Sequence, residues 1–125
     1  MSRWFLVLGA VTGFVSVAAG AFGAHALKAL LPPERLAVFE TGARYGMYHA
    51  LALLAVGLLA ARNPATLLTI SGWAFVAGIV LFSGSLYALA LTGIRPLGAI
   101  TPFGGVAFLV GWALLAVALA RTPLG

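Results

Sequence analysis

Four long uncharged stretches, residues 4–24, 45–61, 63–94 and 96–120, divide the chain. Five charged residues lie in the segment 25–44 between the first two stretches, whereas Arg62 and Arg95 stand singly between the others. A helix needs about 20 apolar residues to cross the hydrocarbon core of a bilayer. We therefore predict one membrane domain, residues 1–125, with four spans at about residues 4–26, 43–61, 67–91 and 97–120.

Helices are the only secondary structure that fits these stretches. They show no alternation of apolar and polar residues, which is the pattern of strands in a membrane barrel. An open sheet would leave unpaired backbone groups at its edges, and lipid cannot satisfy them. Trp4, Trp73 and Trp112 lie mostly towards span ends, as interfacial aromatic residues do. The predicted fold class is all-α, an integral membrane four-helix bundle.

The segment between the first two spans carries its own signals. Leu31-Pro32-Pro33-Glu34-Arg35 interrupts one helix and starts the next, because proline and an acidic residue both suit a helix N-terminus. We predict a short interfacial helix here that bends into the second span at Gly42. Glu40 and Arg44 are four residues apart, so they can pair on one helix face.

The first stretch also has features of a secretory signal peptide. Arg3 precedes an apolar run, and Ala24-His25-Ala26 resembles a cleavage site. However, the uncharged run is longer than the usual apolar region of a signal peptide. We therefore expect the first stretch to be a true membrane span.

Composition excludes the common soluble classes. Hydrophobic residues make up 63% of the chain and charged residues 7%, whereas soluble domains carry roughly 25% charged residues. The lipid bilayer is therefore the predicted partner. The net charge of +5 comes from cations spread singly along the chain, whereas nucleic-acid binding needs them clustered on one face, so we expect no nucleic-acid partner. Cysteine is absent, which excludes thiolate metal ligands and cysteine nucleophiles.

Counting the spans places most polar side chains at one end of the bundle. The end of span one, the start of span two, the end of span three and the start of span four share one membrane side. Polar side chains in hydrocarbon tend to face the bundle interior or a cavity. This asymmetry places any functional site at this end, and the candidate ligand-binding residues are His25, Glu40, Arg44, Tyr45, Tyr48, His49, Ser83, Ser85, Tyr87 and Thr101.

His49 is the candidate with the most chemistry. It either bonds a neighbouring hydroxyl and fixes helix packing, or takes part in proton relay or ligand binding. His25 and His49 together have the ligand types for haem, and with Glu40 those for zinc. No haem signature or zinc spacing accompanies them, so we predict no metal site and no cofactor. Ser83 and Ser85 lie in no nucleophile motif, and we predict no catalytic residue.

Small residues recur at helical spacing in the first span. Gly9 and Gly13 form one such pair, Ser16 and Gly20 form another, and Ala19 and Gly23 form a third. Pairs of this kind let helix backbones approach closely. They serve either a dimer face or packing within one chain, and we expect packing within the chain.

Several segments together resemble a known family. They are Gly20-Ala-Phe-Gly-Ala-His-Ala-Leu27, Phe39-Glu-Thr41, Arg44-Tyr-Gly-Met-Tyr-His-Ala-Leu-Ala-Leu-Leu54, Ser83-Gly-Ser-Leu-Tyr87 and Thr101-Pro-Phe-Gly-Gly105. The chain is similar along nearly its whole length to the YgdD/YwdK family of small bacterial inner-membrane proteins, which has a eukaryotic transmembrane relative. The resemblance implies a four-span membrane protein and no established activity, substrate or catalytic residue.

These observations favour a non-catalytic, multi-pass protein of the bacterial cell (inner) membrane. We expect it to act as a homo-oligomer or as an accessory subunit of a membrane assembly, and not as an enzyme. The alternative is a small transporter or channel with a polar pocket at the end described above. A haem- or metal-binding membrane protein is the third possibility.

Overall fold

A computed structural model describes residues 2–123, except for the side chain of Ala24. Its α-helices are Ser2–His25 (α1), Pro33–Arg62 (α2), Thr66–Gly78 (α3), Gly84–Thr92 (α4) and Thr101–Arg121 (α5). One π-helical turn, Ile79–Ser83, joins α3 to α4, so that Thr66–Thr92 forms a single span. Short 3-10 turns at Leu27–Ala29 and Arg95–Ala99 precede α2 and α5.

Four helical segments are long and apolar enough to cross a membrane. No strand occurs between residues 2 and 123. The predicted fold class, an all-α integral membrane four-helix bundle, is therefore confirmed. The limits of the predicted spans concern the position of the bilayer, and they stay predictions.

The bundle consists of two helical hairpins packed against each other. α1 packs along α2, and α5 packs along the third span, Thr66–Thr92. α2 and the third span join the hairpins through their own contact. The backbones of α1 and the third span scarcely approach each other, nor do those of α2 and α5. This arrangement leaves one groove between α1 and the third span and another between α2 and α5.

Small residues of α1 make its contact with α2. A Cβ atom at Gly9 would lie 3.0 Å from the carbonyl oxygen of Ala50, and one at Gly23 would lie 3.0 Å from the ring of Phe39. Side chains at these positions would push the two helices apart. At Gly9 and Gly23 the structure therefore shows what we predicted: the small residues serve helix packing within the chain.

The segment that begins at Pro33 differs from the prediction. It is not a separate interfacial helix, because α2 continues without interruption through Gly42 to Arg62. The Nε of Arg35 donates to the carbonyl oxygen of Ala90 at 2.8 Å, which ties the first turn of α2 to the protein. Gly42 costs a helix about 1 kcal/mol relative to alanine, but its missing side chain lets the Tyr87 ring approach. Tertiary contacts therefore keep this segment in one helix.

The π-helical turn lies where α5 comes closest to the third span. A Cβ atom at Gly104 would collide with the backbone nitrogen of Phe82. The extra residue of a π turn changes which side chains face each neighbour, and such turns are frequent at functional sites. Here the consecutive residues Phe82 and Ser83 line different grooves.

Candidate functional site

The groove between α2 and α5 is lined mainly by aromatic side chains. We call it the aromatic groove, and its cavity volume is about 360 Å³. Its lining residues are Tyr45, Tyr48, His49, Phe82, Gly105, Phe108, Leu109 and Trp112.

His49 lies at the floor of the aromatic groove with only 4% of its surface exposed. Its ring stacks on Phe108, with 3.5 Å between centroids and 5° between planes. Trp112 Nε1 donates to His49 Nε2 at 3.1 Å, and His49 Nδ1 lies 2.7 Å from the carbonyl oxygen of Tyr45. The expected partner was a hydroxyl, but the partners are a carbonyl one turn earlier and an indole from another span.

These two hydrogen bonds define the tautomer of His49. An indole N–H only donates, so Nε2 must accept and carries no proton. A carbonyl oxygen only accepts, so Nδ1 must carry the proton. His49 is therefore a neutral imidazole with both nitrogens satisfied, and it links α2 to α5.

The groove between α1 and the third span has a different lining. We call it the serine groove, and its cavity volume is about 320 Å³. Hydroxyl side chains from two spans point to a floor formed by Gly46, and apolar side chains form the walls. The lining residues are Val11, Thr12, Val15, Ser16, Gly46, Ile79, Val80, Ser83, Gly84 and Tyr87.

The hydroxyl groups of the serine groove are unequally satisfied. Ser83 Oγ donates to the carbonyl oxygen of Gly42 at 2.8 Å, a bond between the third span and α2. The Tyr87 hydroxyl is buried and has no hydrogen-bond partner in the described part of the chain. The Ser16 side chain is close enough to influence it, but no hydrogen bond of ordinary geometry joins the two hydroxyls. Buried polar groups are rarely left unpaired, so the Tyr87 hydroxyl is the unusual group of this bundle.

The other predicted site residues lie outside these two grooves. Glu40 and Arg44 line a third groove, between α1 and α2, together with Tyr48, which also borders the aromatic groove. Across residues 2–123, no ion pair joins Glu40 to Arg44. Ser85 and Thr101 form a 2.6 Å hydrogen bond between their hydroxyls that ties the third span to α5.

His25 lies exposed at the end of α1. The ten candidates therefore do not share one pocket: they are divided among three grooves, the link from Ser85 to Thr101, and the surface. The rotation of each helix about its axis decides which groove a side chain faces. Counting residues along a span gives the depth of a side chain in the membrane but not this rotation. Within the described residues, no three His, Asp or Glu side chains are grouped so as to hold a metal ion.

Sequence reasoning missed residues that complete both grooves. Trp112 and Phe108 hold the ring of His49, but an aromatic residue in an apolar span carries no signal of its partner. Ser16 and Gly46 complete the serine groove. Thr12 and Ser16 are the hydroxyl residues of the uncharged stretch 4–24 and are four residues apart, so a search for hydroxyls on one helix face would have found this wall.

Comparison with known proteins places this architecture in a family. Residues 19–105 match the model of the family described as "Protein of unknown function (DUF423)". The chain belongs to the DUF423 family. It is 49% identical over 118 residues to UPF0382 membrane protein YwdK of Bacillus subtilis (strain 168), covering 94% of this chain and 96% of that protein. It is also 49% identical over 113 residues to UPF0382 membrane protein SSP2132 of Staphylococcus saprophyticus, with 90% and 93% covered.

The membership confirms the resemblance described from the sequence. The DUF423 relatives are bacterial and are named as membrane proteins, so the expectation of a multi-pass protein of the bacterial cell membrane is confirmed. The family is one of unknown function, and nothing in these comparisons indicates catalysis. No solved structure matches the chain.

Proposed function

We propose that this DUF423 protein is a non-catalytic membrane protein that acts as a homo-oligomer, with subunits that meet along the exposed face of α2. One observation carries the proposal: between Arg44 and Leu58, every exposed residue of α2 except Tyr45 lies on a single stripe at heptad spacing. We call it the α2 stripe, and it consists of Arg44, Tyr48, Leu51, Ala55 and Leu58.

The spacing of the α2 stripe suits a helix of a second copy. Its residues are separated alternately by four and three positions, which is the repeat of two helices packed in a left-handed coiled coil. α2 is the most buried of the four spans, so the stripe is a narrow uncovered strip on a central helix. Ala55 lies between Leu51 and Leu58, and a small residue there lets a second helix approach closely.

Charge at the polar end of the α2 stripe supports a two-fold arrangement. Glu40 is partly buried and Arg44 is exposed one turn later, and they line the same groove. They form no ion pair with each other between residues 2 and 123. Ionisable groups near the membrane interior usually pair. We infer that Arg44 of each subunit pairs with Glu40 of the other, and in a two-fold dimer this contact would form twice, because such an interface is self-complementary.

The state of His49 supports a non-catalytic role. General acid–base chemistry needs a group that exchanges a proton with a substrate within hydrogen-bond reach. Both nitrogens of His49 are occupied, by Trp112 and by the Tyr45 carbonyl. We therefore assign His49 to holding α2 and α5 together.

Cysteine cross-linking in native membranes tests the interface. The chain has no cysteine, so each single-cysteine variant reports on one position. Leu51→Cys and Leu58→Cys should give disulfide-linked dimers under mild oxidation. Phe14→Cys on α1 and Leu109→Cys on α5 are matched controls, because Phe14 is 77% exposed and Leu109 is 69% exposed. Equal cross-linking at all four positions would overturn the α2 interface.

A charge exchange tests the pairing of Glu40 with Arg44. Native mass spectrometry in maltoside micelles should show a homo-oligomer for the wild type. Arg44→Glu alone should shift it towards monomer, and Glu40→Lys combined with Arg44→Glu should restore it. A lone wild-type monomer would contradict the proposal. A complex with a different protein would support the accessory-subunit role instead.

A further inference from the structure

We propose that the serine groove binds a neutral molecule that presents a carbonyl oxygen between apolar groups and enters from the bilayer. This site is separate from the α2 stripe, and the inference goes beyond the role proposed above. It rests on the hydroxyl groups of the groove, on its floor and on the character of its walls.

Two buried hydroxyl groups of the serine groove are available to a ligand. The Tyr87 hydroxyl is buried without a hydrogen-bond partner in the described residues. Ser16 is 4% exposed, and it takes part in none of the side-chain hydrogen bonds found between residues 2 and 123. A hydroxyl left unpaired in an apolar medium costs free energy, and a bound acceptor would remove that cost.

A carbonyl oxygen suits this pair of donors. It has two lone pairs, so it accepts one hydrogen bond from Tyr87 and one from Ser16. The Ser83 hydroxyl already donates to the Gly42 carbonyl oxygen, so it contributes only an acceptor. The groove thus offers two buried, unused donors to one oxygen atom, and Thr12 adds a partly exposed hydroxyl at its wall.

Gly46 keeps the polar floor accessible. A Cβ atom there would lie 2.6 Å from Ser16 Oγ and 3.4 Å from Ser83 Oγ. Any side chain at position 46 would occupy the space in front of these hydroxyls. The missing side chain therefore creates room for a ligand atom within reach of Ser16.

The walls define the rest of the ligand. No charged residue lines the groove, and its apolar walls come from α1 and from the π-helical turn with its neighbours. Val11 and Val80 are 53% and 63% exposed, so the groove is open towards lipid. A volume of about 320 Å³ lies at the lower end of the range of small-molecule pockets. A quinone ring and the ester region of a lipid both have this chemistry.

Saturation binding of tritiated menadione to the full chain in maltoside micelles tests the site. Tyr87→Phe and Ser16→Ala should each weaken binding about fivefold, since each removes one hydrogen bond. The double variant should weaken it about 25-fold if the losses add. Tyr87→Phe should leave the thermal midpoint of the ligand-free protein unchanged or raised, because it deletes an unpaired hydroxyl.

Matched controls separate the groove from general effects on folding. Tyr45→Phe removes a phenol that lies outside both the serine groove and the α2 stripe, and it should leave menadione binding unchanged. Gly46→Ala should reduce binding more than tenfold, whereas Gly20→Ala, which adds a methyl group to open space, should have no effect. Oligomeric state is measured on the same samples, so failure of this proposal is distinguishable from failure of the α2 interface.

Competition with phosphatidylglycerol distinguishes the two sources of the carbonyl. Displacement of menadione, or lipid retention that needs Ser16 and Tyr87 when menadione does not bind, assigns the groove to a lipid ester. Saturable menadione binding that the lipid does not displace assigns it to a quinone-like ring. If neither probe binds saturably, or if all variants bind alike, the proposal is overturned.

Discussion

The aromatic groove and the serine groove lie at the same depth, yet a buried polar group has hydrogen-bond partners in the first and lacks them in the second. Neighbouring residues of the same helices line them, because Tyr45 and Phe82 face the aromatic groove while Gly46 and Ser83 face the serine groove. In the aromatic groove, the nitrogens of His49 have partners. In the serine groove, the Tyr87 hydroxyl has none in the described residues.

This difference separates side chains that stabilise the bundle from side chains that we propose bind a ligand. A satisfied polar network in a low-dielectric interior stabilises one arrangement of the helices. An unsatisfied group destabilises the protein until a ligand pairs with it. Substitutions should therefore affect unfolding strongly in the aromatic groove and weakly in the serine groove.

The largest effect is expected from His49→Ala. It removes a buried ring that stacks on Phe108 and leaves the Trp112 indole without an acceptor. We expect a loss of about 3 kcal/mol in the free energy of unfolding, since a cavity and a lost bond add. Reversible unfolding in mixed dodecyl sulfate micelles measures it. Leu109→Ala, at the exposed rim of the same groove, is the control. An equal loss there would show that a buried and an exposed residue of the groove contribute alike to stability.

A smaller effect is expected from Trp112→Phe. The ring is kept, but His49 Nε2 loses its donor and stays buried without a partner. The expected loss is about 1 kcal/mol, measured in the same unfolding assay. Trp73→Phe is the matched control, because Trp73 packs edge-on against Phe5. If the two variants lose equal stability, the indole bond to His49 contributes nothing.

The smallest effect is expected from Ser83→Ala in the serine groove. It deletes the bond to the Gly42 carbonyl oxygen, and hydrogen bonds between membrane helices contribute about 0.6 kcal/mol on average. The Gly42 carbonyl keeps its partner within the helix, so no buried group is orphaned. A loss larger than that of Trp112→Phe would show that the serine groove stabilises the bundle, contrary to the comparison.

The sequence was sufficient for the number of spanning helices and for the start of α2. Uncharged stretches of bilayer length indicate spanning helices directly, and Pro33 with Glu34 indicates the N-terminus of a helix. The continuity of α2 through Gly42 was not predictable, because it depends on Arg35 and Tyr87 contacts with other parts of the fold. The helix propensities of the neighbouring residues do not reveal these contacts.

The grooves were predictable only in part. Depth along each span follows from counting residues, so the polar ends could be grouped. The rotation of each helix follows from close contacts such as Gly104 against Phe82, and these set the π-helical turn. The partner of His49 lies 63 positions away in the chain, and no pattern in the sequence around Trp112 indicates that the two residues meet.

The nitrogen resonances of His49 in bilayers test the central claim most directly. Solid-state NMR of the ¹⁵N-histidine-labelled protein should show a protonated Nδ1 and an unprotonated Nε2, and the Nε2 resonance should shift in Trp112→Phe. An Nε2–H tautomer, an imidazolium, or an Nε2 signal indifferent to Trp112 would contradict the account, because His49 would then be free for other chemistry.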